Sequence, residues 1–325
     1  MSLVVWTNHV FRPEALVGFA RELQAAGHRL LASPKATPMV LAAGTDDPTL
    51  EQADVAFGQP EVGQAIKCAR LKFIELSSAG YTRYDREDFR TAMQARGVPV
   101  TNASQVFADP CAQHVLAQML ALERNLPVQL RNQDGPREWR YLNDRFTNGV
   151  LTRRSVLLLG FGAIGRRLAE LLQPFGCRVP AFRRKPAGHE GIPVIGEAGR
   201  AAALAAADHV VNILPDSVAT TGWMSAARFA AMKPGARFYN IGRGTTVDQP
   251  ALMAALASGQ VGAAYLDVMD PEPLPATHPL WAAPNCYITC HIGGGTREQD
   301  DNLAAHFLGN LAAFTRGGAL TDRIM

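Results

Sequence analysis

Ten residues near the middle of the chain, Val156-Leu-Leu-Leu-Gly160-Phe-Gly162-Ala-Ile-Gly165, constrain the fold more than any other stretch. Four apolar residues predict a buried strand, and the amphipathic run Arg166 to Gln173 predicts a helix directly after the glycines. In that setting each glycine has a task. Gly160 permits the tight turn, and Gly162 lets backbone approach a pyrophosphate. Gly165 lets helix and strand pack closely, while Ala163 and Ile164 open the helix whose N-terminus holds the diphosphate. A dinucleotide is expected here, and the fold in front of the loop must be something else.

At 325 residues the chain has room for two domains. Net charge is +3, with basic residues scattered rather than tiled along one face, so nucleic acid is not an expected partner. Met1-Ser-Leu-Val-Val-Trp lacks a basic n-region and reads as a first strand rather than a signal peptide. No apolar segment approaches the length of a membrane span, so no membrane partner is expected. The cysteines at 68, 111, 177, 286 and 290 are odd in number and dispersed, which predicts a reducing, cytoplasmic setting. Cys286 and Cys290 would lie about 13 Å apart along one strand face, too far for a disulfide. No second Cys/His pair has matching spacing, so no metal is expected, and both cysteines read as small core residues.

Strands are predicted at Leu3–Trp6, Val55–Phe57, Phe73–Leu76 and Val98–Val100, with a helix over Pro13–Ala26. These make a small doubly wound unit. Asp109-Pro110 is expected to open a long helix, Asp as cap and Pro at its first position, with Val115, Met119 and Leu122 on its apolar face. A polar segment, Gln129 to Thr152, leads to the glycines. Beyond them, strands are expected at Cys177–Phe182, His209–Leu214, Arg237–Asn240, Ala263–Asp267 and Tyr287–Thr289, separated mostly by helices as a parallel sheet requires. Thr296 is expected to cap a last helix whose face carries Leu303, Phe307, Leu311 and Phe314, and Gly317-Gly318 to stop it.

In a dinucleotide fold the second strand normally ends in an acid that binds the ribose 2′-hydroxyl. Here Val179-Pro-Ala-Phe182 runs into Arg183-Arg184-Lys185. A carboxylate there would repel a 2′-phosphate, whereas a guanidinium fork grips one. The expected cofactor is therefore NADP(H), with Arg183 and Arg184 as phosphate ligands; the bland alternative is a solvated basic turn. Arg153-Arg154 and Arg166-Arg167 read as solvated faces.

Three further residues each follow a strand end: Arg243 in Asn240-Ile-Gly-Arg-Gly244, Glu272 in Asp267-Val-Met-Asp-Pro-Glu-Pro-Leu274, and His291 after Tyr287-Ile-Thr-Cys290. Carboxyl ends of strands face the ligand crevice in open α/β sheets. A cation to hold a carboxylate and polarise a carbonyl, an acid to protonate the oxygen, and a carboxylate to steady that acid suit hydride transfer to a keto acid. By contrast, His28 and His209 adjoin element ends without a carboxylate motif, and His114 and His306 read as packing or interface residues.

Taken in order, the glycine loop, Asn240-x-Gly-Arg-Gly244, Asp267-x-x-x-x-Glu-Pro-Leu274 and His278-Pro-Leu-Trp…His291-x-Gly-Gly resemble the D-isomer-specific 2-hydroxyacid dehydrogenase family, in character its NADP-preferring glyoxylate/hydroxypyruvate reductases. The resemblance implies an α/β protein of two doubly wound domains. A Rossmann cofactor domain, 102–291, would be inserted in a discontinuous flavodoxin-like substrate domain, 1–101 and 292–325. It implies Arg243 as substrate-binding catalytic residue, His291 as acid/base and Glu272 as its partner. It also implies that amides of Ala79 and Gly80 hold the substrate carboxylate. Leu214, Pro215 and Thr220 would lie beneath the nicotinamide ribose, Asp267 near the carboxamide, and Ile241, His291 and Gly293 in the cofactor site. A small 2-keto acid substrate and a homodimer are further implications.

Departures are visible. Cys290 stands where Pro is common, and Gln113 where many members have Glu. Glu272 argues against a formate dehydrogenase, whose corresponding position resembles Gln, because formate oxidation needs no proton acceptor. Phosphite oxidation keeps the Glu–His pair, and corepressors of this fold, which bind a dinucleotide without catalysis, resemble it too but add interaction tails. Trp139 has two readings: it reaches a partner subunit's site, as an aromatic does in some relatives, or it is an interface or core residue.

Overall fold

The computed structural model describes residues 2–37, 44–184, 186, 188 and 190–325. In chain order the elements are β1 (Val4–His9), α1 (Pro13–Ala25), β2 (Arg29–Thr37), β3 (Val55–Gly58), α2 (Val62–Lys67), β4 (Phe73–Leu76), α3 (Glu87–Ala95) and β5 (Val100–Thr101). Then come α4 (Ser104–Glu123), α5 (Leu126–Asp134), α6 (Tyr141–Asp144), β6 (Val156–Leu159), α7 (Ala163–Leu172), β7 (Ala181–Phe182), β8 (Val194–Ile195) and α8 (Arg200–Ala206). The rest are β9 (His209–Asn212), α9 (Ala226–Ala230), β10 (Ala236–Asn240), α10 (Gln249–Ala257), β11 (Val261–Leu266), β12 (Cys286–Ile288) and α11 (Gln299–Thr315).

The chain forms two compact units, one of Met1–Phe107 with Gly295–Met325 and one of Ala108–Gly294. Each holds a parallel sheet. The first has strand order β2-β1-β3-β4-β5, the flavodoxin-like arrangement. The second runs β12-β11-β10-β9-β6-β7-β8, so strand order reverses between β6 and β9, where open α/β sheets bind ligands. Asn102 and Ala103 stay with the first unit because Asn102 Nδ2 donates to Ala79 O (2.7 Å) and Ala103 N to Ser78 O (3.1 Å).

In the first unit, aromatic side chains fill one face of the sheet: Phe57 stacks on Phe307 with centroids 4.6 Å apart, and Phe19 and Phe73 surround them. Trp6, Ile74 and Phe89 fill the other. The second unit's core packs Leu157, Val210, Phe238 and Leu266 under Phe229 and Leu252. Each such ring or aliphatic side chain contributes about 1.5–3 kcal/mol on burial.

Several expected boundaries differ, each for a tertiary reason. The strand β2 carries Pro34 and pairs with β1 alone, an edge position that tolerates proline, so its sequence gives no strand signal. Helix α4 begins five residues before Asp109 and keeps Pro110 inside it. Its first turn is capped from elsewhere: Asn102 Oδ1 accepts from Ser104 N (3.2 Å) and Asp322 Oδ2 from Gln105 N (2.7 Å). Strand β7 shrinks to two residues because Pro180 has no N–H; Arg178, Pro180 and Phe182 accept from Val156, Leu158 and Gly160 down one side of β6. Thr296 does not cap α11, which starts at Gln299, whereas Gly317 ends it at φ +68°.

Candidate active site

The glycine loop has the shape its sequence predicts. Gly160 adopts φ +104°, and a Cβ there would lie 3.1 Å from Ile213 O. At Gly165 a Cβ would come within 3.0 Å of Gly160 O, so only glycine permits the close helix–strand approach. At Gly162, by contrast, a Cβ would meet nothing within 4 Å, and as N-cap of α7 this residue offers no side-chain hydrogen bond to the first turn. Open space thus faces the uncapped N–H groups of Ala163 and Ile164, the environment a diphosphate requires. The residues present fit a dinucleotide.

Next to this loop, two buried asparagines tie three strand ends together. Asn212 and Asn240 are register partners at the ends of β9 and β10, and Asn212 Nδ2 donates to Asn240 Oδ1 at 3.0 Å. Asn212 Oδ1 accepts from Leu214 N, while Asn240 Nδ2 donates to the carbonyls of Arg243 (3.2 Å) and Val268 (3.3 Å). Thr246 Oγ1 also donates to Arg243 O, at 2.6 Å. Both amides are fully used, so the backbone that aims Arg243 is rigid. Glycine is required at 244, where a Cβ would overlap Met269 backbone. In the next loop Thr220 Oγ1 donates to Pro215 O at 2.6 Å, closing the turn that follows Leu214.

Past β11 and β12 lies the acid–base pair. His291 Nδ1 and Glu272 Oε2 are 2.7 Å apart. An ionised carboxylate only accepts, so Nδ1 carries the proton and Nε2 is left to exchange one. Burial alone would raise the Glu272 carboxyl. Hydrogen bonds from His291 and from Met269 N (2.9 Å), with the field of Arg243, outweigh it and hold the group below the usual carboxylate range. His291 itself has φ +54°, a left-handed conformation costing about 1–3 kcal/mol. Asp267 stabilises it. Its backbone carbonyl accepts from His291 N (2.8 Å), and its buried carboxylate accepts from Ile292 N (3.0 Å), Gly293 N (2.9 Å) and Thr289 Oγ1 (2.6 Å). Ile241 is packed against Gly293, where any Cβ would come within 2.6 Å of its Cδ1.

Comparison with known proteins follows this geometry. Residues 116–293, more than half of the chain, match the D-isomer specific 2-hydroxyacid dehydrogenase, NAD binding domain family. The chain belongs to the D-isomer specific 2-hydroxyacid dehydrogenase family. It is 34% identical over 260 residues to human glyoxylate reductase/hydroxypyruvate reductase, covering 79% of this chain and 77% of that one. Glyoxylate/hydroxypyruvate reductase B of Citrobacter koseri is 33% identical over 284 residues, 83% of this dehydrogenase and 86% of that protein. A solved D-isomer specific 2-hydroxyacid dehydrogenase of Xanthobacter autotrophicus Py2, in complex with NADPH and MES, superposes with TM-score 0.80 at 27% identity over 99% of this chain and 97% of that one. The dehydrogenase is thus an NAD(P)-dependent oxidoreductase with two parallel-sheet α/β domains.

Other expected site residues are distributed as follows. In the first unit, the carbonyls of Ser78, Ala79 and Gly80 accept from Ala103 N, Asn102 Nδ2 and Ser78 Oγ. Because N–H and C=O of one peptide point opposite ways, the amides of Ala79, Gly80 and Tyr81 each turn away from the partner of the carbonyl before it. At the end of β7, Arg184 is exposed and Lys185 lies outside the described residues. Arg183 is engaged: its Nη1 donates to Glu190 Oε1 at 2.9 Å, so an acid absent from the strand end is returned by the loop.

Some surroundings overturn the sequence reading. His209 does have a carboxylate partner, buried Glu123 at 3.2 Å, and the latter also pairs with Arg237 (2.6 Å) and Arg154 (3.5 Å). Arg167 is not merely solvated either, since its Nε meets Asp109 at 2.5 Å. His114 contacts the Tyr265 hydroxyl and lies 3.8 Å from Asp267, inside the polar cluster of the site rather than in packing. His306 bridges Glu75 and Asp322. Cys290 is exposed rather than a core residue, and Cys286 is half-buried. Sequence reasoning missed Asn212, Thr246 and Asn102. The signal was an asparagine closing each of two adjacent apolar strands, which becomes meaningful once their register is known.

Proposed function

We propose that this dehydrogenase reduces a small 2-keto acid of the glyoxylate or hydroxypyruvate kind to the D-2-hydroxy acid, with NADPH as preferred reductant. The reduced nicotinamide, when bound, supplies the hydride. Arg243 binds the substrate and polarises its carbonyl, and the backbone amides at Ala79 and Gly80 take the carboxylate. His291 Nε2 gives its proton to the carbonyl oxygen as charge builds there, and Glu272 stabilises the imidazolium before that transfer. Asp267 keeps His291 in its left-handed turn and would lie near the carboxamide of a bound nicotinamide. The glycine loop and the first turn of α7 would hold the diphosphate, Leu214, Pro215 and Thr220 the nicotinamide ribose, Ile241 and Gly293 would complete the cofactor site, and Arg183 with Arg184 would take the 2′-phosphate.

The observation that best supports this reading is the 2.7 Å Glu272–His291 pair, with Arg243 near enough to lower the same carboxyl. The names of the relatives, and the NADPH bound by the Xanthobacter protein, agree with it. We propose also that the protein is a homodimer. Trp139 is 95% exposed and Phe146 77%, and Leu130, Tyr141 and Leu142 are exposed beside them in sequence, an apolar arm that favours a second copy over water.

The test is a panel of 2-keto acids assayed with both reduced nicotinamides, with chiral analysis of the product. Arg243→Gln and His291→Gln should each abolish turnover while leaving NADPH binding close to that of the parent. Turnover retained in both variants would refute the assignment of roles.

A further inference from the structure

The loop joining β7 to β8 carries no helix among its described residues, and it folds Glu190 back onto the end of β7. Arg183 and Glu190 are seven residues apart, with Nη1 and Oε1 separated by 2.9 Å. Their settings differ: the Arg183 side chain is 30% exposed and that of Glu190 only 3%. A carboxylate so buried needs a paired cation, and the Arg183 guanidinium has one terminal nitrogen committed to it. The remaining nitrogens still form one fork for an oxyanion. A phosphate at Arg183 would therefore meet the Glu190 carboxylate as well as the guanidinium.

We infer that Glu190 is a specificity-determining residue: it weakens recognition of the 2′-phosphate by neutralising Arg183, and so narrows this chain's discrimination between NADPH and NADH. The inference rests on the proposed role of Arg183 as phosphate ligand. Glu190 does two opposing things there. It orients the guanidinium, and it places a negative charge within a few ångströms of where a phosphate dianion would sit. Orientation needs only a hydrogen-bond acceptor, whereas repulsion needs the charge. A glutamine has the first without the second, so the substitution separates them.

The experiment is a titration of the apo protein with each dinucleotide, followed by quenching of tryptophan fluorescence and needing no turnover. Glu190→Gln should lower the Kd for NADPH about three- to tenfold, the effect of removing one partly screened charge near a dianion. The Kd for NADH should move less than twofold. An NADPH Kd that is unchanged or raised in Glu190→Gln overturns the inference; if that variant does not fold, Glu190→Ala is read by the same criterion. The double variant Arg183→Gln/Glu190→Gln, which removes both charges of the pair, tests the underlying reading separately. If it binds NADPH as tightly as Glu190→Gln does, Arg183 is not a phosphate ligand. If it binds NADPH more weakly than the parent, Arg183 is one, and the Glu190 result stands or falls on its own.

Discussion

Glu272 and His291 meet at 2.7 Å although nineteen residues separate them, and they come from two adjacent strand-end loops whose backbones are tied to Asn240 and Asp267. Removing the charge while keeping the shape isolates what the pair does. In Glu272→Gln, kcat for keto-acid reduction should fall about 10²- to 10³-fold, in the range of positioned acid–base catalysis. The Kd for NADPH should stay within about twofold of the parent, because the carboxylate steadies the proton donor and does not hold the dinucleotide. A kcat within tenfold of the parent would count against the pairing as the source of the acid.

Two glycines of the site should respond oppositely to the same substitution. At Gly293 a Cβ would lie 2.8 Å from Asp267 Oδ2 and 3.2 Å from His114 Cδ2, so Gly293→Ala should destabilise the protein by about 1–3 kcal/mol. Thermal unfolding measures this, and activity should fall as the His291 turn shifts. Gly162→Ala meets open space and should leave the melting temperature unchanged while weakening dinucleotide binding. Loss of stability in Gly162→Ala would contradict the open cradle.

His306 should make the first unit sensitive to alkali. Burial alone pulls its imidazole down, but hydrogen bonds to Asp322 and Glu75 more than reverse this and raise it to about 9. An unfolded imidazole titrates near 6.5, so the folded value is the higher one. The stabilisation, up to about 3 kcal/mol, is then complete below pH 6.5 and disappears as pH rises through 9. Melting temperature of the parent should decline across that window more steeply than in His306→Gln. Parallel declines would show that the bridge contributes nothing.

Exposed aromatics on the 126–150 segment lead to a test of assembly. Trp139→Glu with Phe146→Glu should convert a dimer to a monomer in sedimentation velocity, since each side chain would carry charge into an apolar contact. A dimer that persists in the double variant would move the interface elsewhere.

What the sequence determined by itself was whatever depends on neighbours along the chain. The run of apolar residues ending in Gly160, the glycine spacing and the helix after it act within a dozen residues, so strand, turn and helix followed from local sterics. Arg243, Glu272 and His291 were visible for a related reason: each follows a strand end, and strand ends share one edge of a parallel sheet. Tertiary structure decided the rest. The cap of α4 is a carboxylate at Asp322, 217 residues beyond the amide it accepts from. The partner of His209 is Glu123 on another element, and the acid facing Arg183 is Glu190, from a loop whose path no periodicity describes. Hydrogen bonds and ion pairs act over about 3 Å of space without regard to distance along the chain. Which charges compensate one another therefore became defined only when the sheets had closed.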